Sequence, residues 1–137
     1  MNDPIAALVA MLAASAEIEA LVGTRVFGGE LPEGEAAHMP RAAIVLTPSG
    51  GPSLTGESYA EVDVQRVDLF AYGETPADAA QVQRACARVL RQARRGTWAG
   101  VLVHWVRSAG GFTSSRDPDA AWPRAFQSFQ MFYVMEN

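Results

Sequence analysis

The sequence predicts an α+β domain: an antiparallel sheet of about four strands with two helices packed on one face, in the order α-β-β-α-β-β, with a long hairpin arm. Three observations carry this expectation. Two segments repeat apolar residues at helical spacing behind good N-caps; four segments are apolar or alternate at strand spacing; long connections separate the strands of each pair. The 137 residues fit one domain spanning 1–137, and a chain of this length can bury a core without disulfide or metal.

Asp3-Pro4 opens the first helix. Asp caps free amide groups, and Pro is tolerated at the first helical position, where its missing N–H has no partner to lose. Ile5, Leu8, Val9 and Leu12 form the buried stripe, Ser15 restarts a short second piece through Ile18, Leu21 and Val22, and Gly23 stops it. Residues 24–40 are rich in Gly, Pro and Glu, with Val26 and Phe27 as anchors, and read as a short extended piece followed by a loop. The apolar run within 41–47 suits a buried strand, and 48–57 a long hairpin connection.

The strand over 59–72 changes phase. Val62 and Val64 share one parity, while Val67, Leu69 and Ala71 have the other. Side chains alternate along a strand, so either a bulge near Gln65-Arg66 resets the phase or the two halves face different partners. In the second case residues 44–48 and 58–65 form an arm that leaves the domain. Thr75-Pro76 with Asp78 caps the clearest helix, whose inner face is Ala79, Val82, Cys86, Val89 and Ala93 and which Gly96 ends. Strands over 101–106 and 124–135 follow, the latter with Phe129, Met131 and Tyr133 on one face; a second long loop, 108–122, joins them.

Charge and composition exclude several classes. The net charge is −4 and every basic residue is Arg, which disfavours general nucleic-acid binding but suits bidentate contacts at protein interfaces. The longest apolar stretch, 5–16, is too short to span a bilayer, and the acidic start is unlike a signal peptide, so no membrane association or export is expected. Cys86 is the sole cysteine and faces the core, which keeps its thiol inert.

A census of chemistry finds no catalytic, cofactor-binding or metal constellation. His38 and His104 lack partners at ligand spacing, and His104 reads as a packed strand residue. The serines near 49–53 and 114–115 have no nucleophile elbow, and Gly50-Gly51 and Gly110-Gly111 no phosphate-loop pattern. Asp117-Pro118-Asp119 reads as a turn. What remains is electrostatic. Arg84, Arg88, Arg91 and Arg95 follow i, i+4, i+7, i+11 on one helical stripe with almost no interspersed acid. Such a stripe is either a solvated face or a contact with a partner's acids. Glu61, Asp63 and Glu74 of a neighbouring copy, beside Arg66, are the expected counterparts.

Several runs share a pattern with a known family. They are 3–8 (Asp-Pro-Ile-Ala-Ala-Leu), 20–27 (Ala-Leu-Val-Gly-Thr-Arg-Val-Phe), Pro40, and the strand-to-helix junction at 66–75 (Arg-Val-Asp-Leu-Phe-Ala-Tyr-Gly-Glu-Thr). Ala77 and Ala79 follow, and a closing strand spans 126–134. In order and spacing the chain resembles phage tail completion proteins, the tail terminators of siphophages and related gene transfer agents. That resemblance implies a non-enzymatic virion protein, made in the bacterial cytoplasm and placed at the head-proximal end of the tail. It implies a homo-hexameric ring that caps the tail tube, ends its polymerisation and offers a docking surface to the head connector. The implied partners are further copies of the chain, the major tail tube protein and a connector or stopper protein, with DNA passing through the lumen without sequence-specific contact. The alternatives are another neck component (a head-closure or connector protein) or a small dimeric α+β enzyme or ligand-binding module.

Overall fold

The computed structural model describes residues 3–50 and 62–134. The described residues form four helices and seven strands in the order α1 (Pro4–Ala13), α2 (Ala16–Val22), β1 (Val26–Gly28), α3 (Glu33–Ala36), β2 (Ala43–Gly50), β3 (Val62–Tyr72), α4 (Pro76–Gln92), β4 (Gly96–Trp98), β5 (Val101–Ser108), β6 (Thr113–Arg116) and β7 (Pro123–Val134). The class is the expected α+β, but the sheet is larger than four strands and not wholly antiparallel. Its order is β1-β2-β3-β7-β5-β4, β6 pairs with β7, and β1 runs parallel to β2. The added strands β1, β4 and β6 have three or four residues, too short to carry an alternation pattern of their own.

The caps form as the residue types require. Asp3 Oδ1 accepts from Ile5 N at 2.9 Å, Ser15 Oγ from Ile18 N at 3.4 Å, and Thr75 Oγ1 from Asp78 N at 3.1 Å. Gly23 ends α2 at φ +60°, a conformation that favours glycine. The helix α4 stops at Gln92, not at Gly96: Ala93 is already extended (ψ 131°), so Ala93 and Arg95 lie outside the helix. Its inner face centres on Ala79, Val82, Ala85, Cys86 and Leu90, with Gln83 also buried.

Strands β3 and β7 pair without interruption from Val62↔Val134 to Tyr72↔Arg124. No bulge lies in β3. The register shift beside Arg66 is on β2, between Pro48 and Gly50. The two valine sets of β3 therefore point to opposite sides of one regular strand. Val67, Leu69 and Ala71 join Ala125, Phe129 and Met131 of β7 under α1, α2 and α4 in the main core. The other side holds a smaller cluster of Ala43, Val45 and Tyr72, with Phe27, Leu31, Met39, Phe70 and Trp122 packed against it.

The expected arm is corrected by the same register. Ile44 and Leu46 are fully buried core residues, and 62–65 are held by β7, so neither stretch leaves the domain. Residues 58–61, the rest of the expected arm, lie outside the described residues. At the opposite end, one row of paired residues crosses five strands: Val26, Ile44, Ala71, Ala125 and Ser114. At this level β1 and β6 are the two margins, about 19 Å apart along the sheet at ~4.8 Å per strand.

Gly73 sets the strand-to-helix junction. A Cβ there would stand 2.4 Å from Ala79 N and 2.8 Å from Asp78 C, both backbone atoms that cannot swing aside. Gly73→Ala is expected to destabilise the fold by about 1–3 kcal/mol, read as a lower urea midpoint. An unchanged midpoint would show that the junction has room to relax.

Candidate partner interface

Cys86 is fully buried, and burial pushes its thiol far above the usual range, so it offers no thiolate nucleophile. His104 is a packed strand residue: its ring lies 5.1 Å from that of Phe132, and Nδ1 accepts from Arg95 Nε at 3.0 Å. Asp117 Oδ1 accepts from the backbone of Asp119 and Ala120 at 2.9 and 2.8 Å, the arrangement of a turn. Among the described residues no group of three or more His, Cys, Asp or Glu could hold a metal ion, and no single helix is long and apolar enough to cross a membrane.

The arginine stripe is retained in part. Arg84, Arg88 and Arg91 are exposed along α4, whereas Arg95 leaves the stripe and bonds to His104 on β5. Arg88 pairs with Glu17 of α2. Arg91 Nε donates to Ala87 O at 3.3 Å, and neither Arg84 nor Arg91 has an ion pair among the described residues. Exposed pairs of the Arg88–Glu17 kind contribute about 0–1 kcal/mol, so the stripe does little for folding.

Beside the stripe runs a groove of about 420 Å³, lined by Arg84, Ala87, Arg88 and Arg91 of α4 with Gln83, Ser108, Phe112 and Gln127. Its floor is a buried amide network. Gln83 Nε2 donates to Gln127 Oε1, and Gln127 Nε2 donates to Ser108 Oγ at 3.2 Å and to Gly110 O at 3.0 Å. These bonds tie the turn after β5 to α4 and hold Phe112 at the rim, 46% exposed; it is the one exposed large hydrophobic residue among those described. Buried amides are stabilising only when paired, so the network fixes the loop in one place. Phe112, Gln83 and Gln127 carried no signal in the sequence, because a lone Phe in a polar loop and two glutamines 44 positions apart form no local pattern.

The remaining expected residues lie elsewhere. Asp63 and Arg66 fall at the distal end of β3 on opposite sides of the sheet; Asp63 Oδ1 accepts from Val64 N at 2.8 Å, and Arg66 is exposed. Glu61 lies outside the described residues. Around them the sheet face turned away from the helices is apolar and half-buried. Val62, Val64, Phe132 and Val134 share it with Trp105, which stacks on Phe132 at 5.5 Å while Arg107 lies 3.7 Å over the Trp105 ring.

An acidic segment follows β1. Glu30 and Glu33 are exposed without ion pairs among the described residues, while Glu35 receives both Arg41 Nε (2.6 Å) and Nη2 (2.7 Å). The Arg41 hydrogen bonds hold the Glu35 carboxyl below its usual pKa. A depressed carboxylate contributes stability that is complete above its unfolded pKa and lost as pH falls through the folded value. Acid titration of stability should therefore show a Glu35-dependent fall that Glu35→Gln removes; an identical acid limb in the variant would contradict the pairing. For the groove, Gln127→Ala strands Gln83 and the turn, at an expected cost of about 1–3 kcal/mol. Hydrogen exchange at 110–112 should rise with it, and unchanged protection would show that the network does not hold the loop.

A family model described as the tail completion protein gp17 matches residues 6–134. A chain from a solved structure titled "Virion of native gene transfer agent (GTA) particle" is similar in fold, with a TM-score of 0.68 at 18% identity, covering 96% of this chain and 94% of that one. No curated protein matches.

Proposed function

Since the chain belongs to the tail completion protein family, a structural family of phage-type tails and not of enzymes, we propose that it caps the tail tube as a closed, six-membered ring of identical copies. The ring ends tube polymerisation and presents its other side to the head connector. The observation that carries this reading is the length of the family match, which takes in both the core and the interface candidates rather than one motif. The gene transfer agent virion supports it at the level of fold.

The physical reading is compatible with that role. A ring of identical subunits is made by heterologous contacts, in which one surface of each copy meets a different surface of the next. The chain offers separate surfaces of different character. The exposed arginines Arg84, Arg88 and Arg91 lie along α4, and at the distal end of β3 Arg66 shares the apolar sheet face, with Asp63 on the opposite side. We assign both surfaces to protein partners. Arg95, engaged with His104, is left to a positioning role at the β4–β5 side. DNA would pass through the lumen without sequence-specific contact.

A head-closure or connector protein of similar size is the competing assignment, and tube growth separates the two. Purified protein added to polymerising tail tube protein should arrest elongation and give short tubes of narrow length distribution. Tubes that grow to the same lengths with and without it would contradict a terminator.

A further inference from the structure

We propose that the groove between α4 and the turn carrying Phe112 receives the acidic segment around Glu30 and Glu33 of a second copy of this chain. This rests on the ring reading above and names the contact that closes it.

The charge distribution selects the occupant. Three of the eleven Arg (Arg84, Arg88 and Arg91, of which Arg88 is paired with Glu17) and no acid line the groove, which leaves eight Arg against fifteen carboxylates elsewhere in the chain. A basic groove on an otherwise acidic protein is complementary to the remainder of its own kind. It is not complementary to itself. A two-fold contact through the groove would set arginines against arginines, which repel.

The sheet register supplies the geometry. Gly28, Leu46, Leu69 and Gln127 form one row across β1, β2, β3 and β7. Gln127 is the floor of the groove, and Phe112 immediately precedes β6 at that margin. Gly28 ends β1 at the other margin, and Glu30 follows two residues later. Basic and acidic elements thus stand at opposite margins of the same end of the sheet. Elements so placed can meet between copies, head to tail, in a heterologous contact, which makes a ring when the rotation between copies closes. Each side is also held in place. The amide network fixes the Phe112 turn, and the Arg41–Glu35 pair fixes the acidic segment while leaving Glu30 and Glu33 free to point outward. An exposed aromatic flanked by arginines is the composition of an interface centre.

Charge reversal in the full-length protein tests the pairing, read by native mass and sedimentation, with circular dichroism melting to establish that each variant is folded. The substitutions lie on exposed side chains. Arg84→Glu with Arg91→Glu, and separately Glu30→Arg with Glu33→Arg, should each weaken self-association by about tenfold or more. All four changes in one chain should restore it, and Phe112→Ala should weaken it without lowering the melting temperature. Folded double variants that assemble like the wild type would overturn the groove contact while leaving the ring intact. So would a four-fold variant that fails to recover. Loss of DNA retention in Arg84→Glu/Arg91→Glu, with assembly unchanged, would assign the groove to nucleic acid instead. A wild-type chain that stays monomeric, with and without tail tubes, would overturn the ring and the contact together.

Discussion

The uninterrupted pairing of β3 with β7 is the constraint on which the rest of the molecule depends. Eleven residues of each strand face one another without a slip, and β2, β5 and β6 all attach to this central pair. Because the ladder admits no bulge, the phase of every side chain follows from a single register. Phe129, Met131, Val67 and Leu69 are thereby fixed toward the helices, where each buried side chain contributes about 1.5–3 kcal/mol. The ladder also outruns its cover. Eleven extended residues span about 36 Å, whereas the seventeen residues of α4 reach only about 26 Å. On the side away from the helices, Val62, Val64, Phe132 and Val134 at this distal end are half-buried rather than sealed.

Charge is distributed as selectively as apolar area. The carboxylate of Glu35 and the guanidinium of Arg41 are spent within the subunit, as are Asp68 with Ser128 (2.7 Å) and Arg124, which lies over Phe70. Arg84, Arg91, Glu30 and Glu33 have no ion pair among the described residues. Surface charges without intramolecular partners add little to folding. Their placement at two margins of one sheet end is the observation on which the proposed contact between copies rests.

How much of this could be read from the sequence depended on whether the signal was local. Asp3-Pro4, Ser15, Gly23 and Thr75-Pro76 state helix ends within a few residues, and all four act as caps or stops in the structure. The phase change in β3 was legible, and of its two explanations the register selects opposite faces over a bulge. The end of α4 was misplaced because Ala93, Arg94 and Arg95 are all acceptable helix residues; only the pairing of β4 with β5 draws the chain out of the helix there. β6 reads Thr-Ser-Ser-Arg, all four residues exposed, and exists because β7 offers it a free edge. The groove was half legible: its arginines follow helical spacing, while its floor joins Gln83, Ser108 and Gln127 across three elements and appears only after folding.

In the function proposed above, cap, stop signal and docking surface would all follow from one placement, a single ring at the growing end of the tube. Electron microscopy of tails carrying a gold-labelled copy of the protein measures that placement directly. One compact cluster of label is expected at one end of each completed tube, at the head junction in whole particles. Label distributed along the tube, or at the tip remote from the head, would contradict it.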